Sequence, residues 1–149
     1  MPDTPIKPLH LIKLCVGCDA VADLEAWITA CQHARRGGPF EQVHTTRMTP
    51  KRADELLAGG SLYWVIKGQI QCRQRLLALR PMVDAEGIGR CELVLEPKVV
   101  RTALRPMRAF QGWRYFTTAD APSDLDQIGE GVADMPEALR QELAGLGLI

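Results

Sequence analysis

GGSLYWVIKGQIQCRQRLL, residues 59–77, decides how the rest of the chain is read. The paired glycines end whatever precedes them, SLYWVIK has the composition of a buried strand, and Gly68 marks a turn or bulge. Beyond it the pattern alternates. Ile70 and Cys72 fall on one face, and Gln71, Arg73 and Arg75 fall on the other. A buried strand followed closely by a two-faced one points to a largely antiparallel sheet.

Working back from this stretch, TPKRADELLAGG reads as a helix. Thr49 can cap it, Pro50 suits its first turn, and Gly59 and Gly60 stop it. QVHTTRM (42–48) is rich in β-branched residues and predicts a strand. LHLIKLCV (9–16) predicts another, apolar on both faces. Between them, Asp19 stands as an N-cap before a helix whose core stripe is Val21, Leu24, Trp27, Ile28 and Cys31. Working forward, GRCELVLEP predicts a strand closed by Pro97, and GWRYFTT a short aromatic one. APSDLDQIGEG reads as loop or a short helical turn. Asp134, Pro136 and Glu137 open a final helix through Leu139, Leu143 and Leu146. The expectation is a single α+β domain over 1–149. It has a mostly antiparallel sheet or small open barrel, two or three flanking helices, and an acidic segment from about 117 to 149.

At 149 residues, 46% hydrophobic and 24% charged, the chain can bury a core without staples. No apolar run approaches the roughly 20 residues that cross a bilayer. The opening MPDTPIKPLHLIKLCVGC, with Asp3 and three prolines, does not resemble a secretory signal, so a cytoplasmic protein is expected. Five cysteines (15, 18, 31, 72, 91) then predict free thiols rather than a disulfide framework.

Several chemistries lack their residues. No Walker loop, G-x-G-x-x-G or G-x-S-x-G occurs, and His10, His33 and His44 are scattered. Cys15-Val-Gly-Cys18 is the only C-x-x-C and has no second pair to complete a zinc site. Cys31 lies on the apolar stripe rather than free to join it with His33, so no metal and no cofactor are expected. The motif stands between a strand and a helix, as a redox pair would. The absence of a parallel βαβ pattern weighs against that use.

The net charge of zero is unevenly spread. From His44 to Arg114 there are thirteen Lys and Arg against six acids, and beyond Arg114 seven acids face Arg140 alone. A basic middle beside an acidic tail points to an anionic partner. Arg47, Lys51, Arg52, Lys67, Gln71, Arg73, Arg75 and Arg114 are the candidate phosphate-binding residues. Their guanidinium forks and amides suit phosphate oxygens and base edges. Tyr63, Trp113 and Tyr115 are the candidate stacking rings, with Trp64 assigned to the core. The leading expectation is a non-catalytic module that binds RNA or another phosphate-bearing ligand in a basic cleft. The alternatives are a small enzyme on a nucleotide or phosphorylated substrate, clamped by Gln71, Arg73 and Arg114, and a protein-interaction module using the acidic tail.

HTTRMTPKRADELLAGGSLYWVIKG (44–68) and RAFQGWRYFTTADAPSDL (108–125) resemble an alphaproteobacterial domain-of-unknown-function family, number 1489, whose members are about this length. The resemblance implies a stand-alone bacterial protein and brings no activity with it. A weaker similarity is to the PUA-like and ASCH group of RNA-associated domains, through a helix, a glycine break and then Lys67, Gln71 and Arg73. That group's glutamate is missing here, and its lysine-to-arginine spacing is one residue shorter. The similarity implies a small mixed barrel with a basic cleft.

Overall fold

The computed structural model describes residues 8–34 and 41–125. The final helix expected from residue 134 and most of the acidic segment lie outside the described residues. Seven strands and two helices follow in the order β1 (Leu9–Leu14), α1 (Val21–Ala34), β2 (Gln42–Thr46), α2 (Ala53–Leu57), β3 (Ser61–Ile66), β4 (Gln69–Val83), β5 (Gly89–Leu95), β6 (Val100–Pro106) and β7 (Trp113–Thr117). The strands form one seven-stranded α+β sheet ordered β2-β5-β4-β3-β1-β7, with β6 also on β4, and the sheet stays open rather than closing into a barrel.

The opening stretch behaves as its pattern dictates. SLYWVI is buried along its whole length, and Lys67 (φ 52) and Gly68 (φ 75) turn the chain into β4. β4 is 15 residues long and organises the sheet. One edge carries β3, and the other carries β6 against its first half and β5 against its second. β6 has no strong sequence signature and is held by this pairing.

The alternation after Gly68 breaks at one residue. Trp64 pairs with Cys72 and Val65 with Ile70, so Gln71 is an extra residue in the ladder. It is buried to 1% exposure, and its side-chain amide donates to the Ile66 carbonyl at 2.7 Å. Gln71 therefore does not share a face with Arg73 and Arg75, as period-two counting requires.

β1 and β3 pair in parallel, Leu11 against Leu62 through Leu14 against Val65, while the other pairings are antiparallel. The chain makes this crossover through α1, β2 and α2. The sequence pattern carries no sign of it, because β2 interrupts what would be a simple strand–helix–strand unit.

Each sheet face has its own core. On one, Leu9, Leu11, Leu62, Trp64, Ile66, Cys72 and Leu76 meet Val21, Leu24 and Ile28 of α1 and Leu56 of α2. On the other, Ile12, Tyr63, Val65, Ile70 and Phe116 pack with Phe110 under the segment after β6. Gly60 joins α2 to β3 where nothing larger fits. A Cβ there would lie 2.1 Å from the Leu9 carbonyl oxygen and 2.4 Å from that of Leu56.

The helix starts differ from expectation. The Asp23 carboxylate reaches back to accept from the backbone N–H groups of Asp19 and Ala20, at 2.9 and 3.1 Å, so Asp23 rather than Asp19 caps α1. α2 starts at Ala53 rather than Pro50, without a side-chain cap. The N–H of its N-cap residue and that of the residue before it find a distant acceptor instead. The Tyr115 hydroxyl accepts from the Lys51 and Arg52 backbone N–H groups at 2.8 and 3.2 Å.

Candidate functional site

A cleft of about 740 Å³ opens where the end of β1 and the loop after it meet α1 and β2. Its walls include Lys13, Cys15, Cys18, Trp27, His44 and Trp64. Lys13 lies opposite Trp64 of β3 and Trp113 of β7, so an indole flanks the ammonium stem on each neighbouring strand. His44 comes from β2, at the far end of the sheet order, and its ring meets Trp64 edge-on with centroids 5.3 Å apart. His44 nevertheless lines the same cleft as Lys13.

Below them, Gln74 fixes the wall. Its oxygen accepts from the Trp64 indole N–H at 2.9 Å and from Gln42 Nε2 at 3.3 Å, while its nitrogen donates to Gln42 Oε1 and to the Glu96 carbonyl. Every polar group of this buried network has a partner, which makes the wall rigid.

The charged groups of the cleft are not so satisfied. Burial pushes the Lys13 ammonium below the usual lysine range, and no described carboxylate forms an ion pair with it. Burial, then the nearby Lys13 charge, lowers the His44 pKa to about 4, so the ring is neutral at physiological pH. Its ring meets that of Trp64 edge-on. The two cleft carboxylates are engaged elsewhere: Asp23 caps α1, and Asp19 pairs with Lys67 at 3.1 Å. Lys13 and the neutral His44 face the cleft together with the Cys15 and Cys18 side chains and the Asp19 and Asp23 carboxylates. Trp27, expected in the core, is 52% exposed and forms part of the rim. It lies at the edge of the α1 stripe, where helical periodicity alone does not separate core from rim.

The residues picked out by composition divide into three groups. Arg47, Lys51 and Arg52 are exposed and lie beside Trp113 and Tyr115. The Trp113 indole donates to the Met48 carbonyl at 2.8 Å, the two rings meet edge-on at 4.9 Å, and the Arg52 guanidinium lies 5.6 Å from the Tyr115 ring centre. Arg52 is also bound to Glu55 on the surface. Trp113 of this group is the strand neighbour of Lys13, but none of these side chains lines the cleft.

Arg73, Arg75 and Arg114 belong to the opposite face. Tyr63 pairs with Arg73 and Ser61 with Arg75, and Arg114 lies across from Ile12. Arg73 is held by Asp124, and Arg114 covers the Phe110 ring at 4.6 Å. A single hollow shared by Arg47, Arg73 and Arg114 does not exist. In the third group, Gln71 is buried in the ladder, and Tyr63 is buried between His10 and Phe116, with centroids at 5.1 and 5.4 Å, so it offers no face for stacking. Lys67 sits at the cleft edge with its charge answered by Asp19.

Lys13, His44 and Trp27 were missed because each carries an ordinary local signal. A lysine in an apolar strand and a histidine in a β-branched run become distinctive only when they are known to face one cavity. Among the described residues, no group of three or more His, Cys, Asp or Glu side chains is placed to hold a metal ion. No described helix is long and apolar enough to cross a membrane.

Comparison with curated proteins and with solved structures found no match to this chain. A family model described as "Protein of unknown function (DUF1489)" matches residues 11–149, and the chain belongs to that family.

Proposed function

We propose that the protein is a binding module for a small phosphate-bearing ligand of nucleotide size, seated in the cleft with its anionic group on Lys13. The observation that carries this reading is a desolvated ammonium without an ion-pair partner among the described residues, on the wall of a cleft of about 740 Å³. Keeping an unpaired charge partly out of water costs stability, and an anionic ligand offsets that cost when it binds. Trp27 supplies exposed apolar surface for a ring, and neutral His44 can accept or donate one hydrogen bond. The exposed Arg47 and Lys51, with no ion pair among the described residues, lie in the segment that Trp113 and Tyr115 hold and add positive potential on that side.

Thermal-shift titration with mononucleotides and inorganic phosphate tests this reading. Ligand at 100 times its Kd stabilises the wild type by about 2.7 kcal/mol. The Lys13→Met variant at the same concentration is stabilised by only about 0.4–1.4 kcal/mol, because one charge-assisted contact is worth roughly ten- to a hundredfold in affinity. A flat response of the wild type to every phosphate compound overturns the proposal.

A second reading, RNA along the same surface, draws on Arg47, Lys51 and Arg52 beside the Trp113 and Tyr115 rings. It requires a steep loss of affinity for single-stranded RNA as salt rises. RNA binding that survives substitution of all three cations would exclude it.

A further inference from the structure

The loop Cys15-Val-Gly-Cys18 lines the cleft but plays no part in the proposed ligand contacts. Cys15 is anchored to the sheet, its backbone N–H donating to the Val65 carbonyl at 2.9 Å and so prolonging the parallel β1–β3 ladder. Val16 is 90% exposed and Gly17 takes φ +88, a left-handed conformation that suits glycine. This turn doubles the chain back before α1. It sets Cys15 and Cys18 on the same cleft wall, and both side chains pack partly buried against the main core. The other three cysteines lie apart in sequence: Cys31 on α1, Cys72 on β4 and Cys91 on β5. The parallel strand pairing that the sequence pattern did not reveal is present beside the motif, which stands after a strand and before a helix.

We infer that Cys15 and Cys18 form a redox-active dithiol that exchanges with low-molecular-weight disulfides reaching the cleft. This does not depend on what else the cleft binds. In the first step the Cys18 thiolate attacks one sulfur of an external disulfide, R–S–S–R, giving Cys18–S–S–R and releasing RS⁻. In the second, the Cys15 thiolate attacks the Cys18 sulfur, closing the internal disulfide and releasing the second RS⁻. The two protein thiols give up two electrons and two protons, and the external disulfide becomes two thiols. The order follows from the site. Burial and the adjacent Cys18 hold the Cys15 thiol in its protonated form, so Cys18 reacts first and Cys15 resolves. Only two residues separate the cysteines across the turn at Gly17, and the disulfide forms when the two sulfurs reach about 2.05 Å.

The full chain, incubated in glutathione buffers of graded oxidised-to-reduced ratio and then alkylated, is read by intact mass and peptide mapping. The expected product is a Cys15–Cys18 disulfide that forms at ratios leaving Cys31, Cys72 and Cys91 alkylatable or unreacted as thiols. Cys15→Ser should stop as a glutathione adduct on Cys18, while Cys18→Ser should accumulate several-fold less adduct on Cys15. A wild-type map in which residues 15 and 18 remain thiols at ratios that glutathionylate Cys31 overturns the proposal. That result needs no variant to fold. Equal adduct on both single variants overturns the assigned order.

Discussion

Arg73 and Asp124, 51 residues apart in the chain, meet in a two-point contact: Nε donates to Oδ1 at 2.8 Å and Nη2 to Oδ2 at 2.7 Å. The same guanidinium donates through Nη1 to Ser61 Oγ at 2.9 Å, so one side chain ties β4 to β3 and to the segment after β7. His10 completes the clasp. Its Nδ1 accepts the Ser61 backbone N–H, which leaves Nε2 as the protonated nitrogen, facing Thr118 Oγ1 at 3.1 Å. Asp124→Asn keeps the shape and removes the charge. It should cost about 1.5–3 kcal/mol in urea unfolding, the range for hydrogen bonds to charged groups. The surface pair Arg52–Glu55 provides the contrast, and its removal should be close to neutral.

Lys13 should show the opposite trade. Lys13→Met removes a desolvated charge with no ion-pair partner among the described residues, so stability should stay level or rise by up to about 1 kcal/mol. Phosphate-ligand affinity should fall. In the wild type the lowered ammonium pKa means that affinity is lost as pH rises, at a lower pH than an ordinary lysine would give. Calorimetric affinities over an alkaline pH series measure this, and a loss of stability together with unchanged binding would refute the assigned role.

His44 sets an acid limit on the fold. Its folded pKa, about 4, lies below the unfolded value of 6.5, so the unfolded chain takes up the proton first. Stability from this group is complete above pH 6.5 and is lost as pH falls from there towards 4, by about 2–3 kcal/mol. His10, also lowered by burial and then by Arg73, contributes in the same direction. His44→Gln should therefore flatten, without abolishing, the slope of unfolding free energy against pH in that window. An unchanged slope would mean that the ring is not desolvated.

Gly60 and Gly17 should respond differently to alanine. At Gly60 the new methyl meets backbone oxygens of Leu9 and Leu56, which cannot step aside separately, and Gly60→Ala should cost about 3 kcal/mol. Gly17 has open space around it but a φ of +88, so Gly17→Ala should cost only the conformational penalty, about 1 kcal/mol. Equilibrium denaturation of the two variants distinguishes steric from torsional cause.

Much of the fold was legible in short windows. SLYWVI, GRCELVL and WRYFT declare themselves as strands by β-branched and aromatic content, and α1 by its three- and four-residue apolar steps. The candidate site was not legible in the same way. Arg73 and Arg114 looked like partners of Arg47 because the sequence counts charges without saying which face carries them. Gln71 misled because one extra residue in the ladder reverses the side-chain alternation. β6 escaped notice because VRTALRP draws its strand geometry from hydrogen bonding to β4.

The order of residues by itself determined the strands, the helix stripe, the glycine breaks and the uneven charge, because each depends on neighbours within a few positions. Only the tertiary structure decided that β1 and β3 run parallel, that His44 arrives beside Lys13, and that Arg73 is already held by Asp124. Those outcomes depend on contacts between segments tens of residues apart. There, burial rather than local propensity determines which polar groups are satisfied and which are left desolvated.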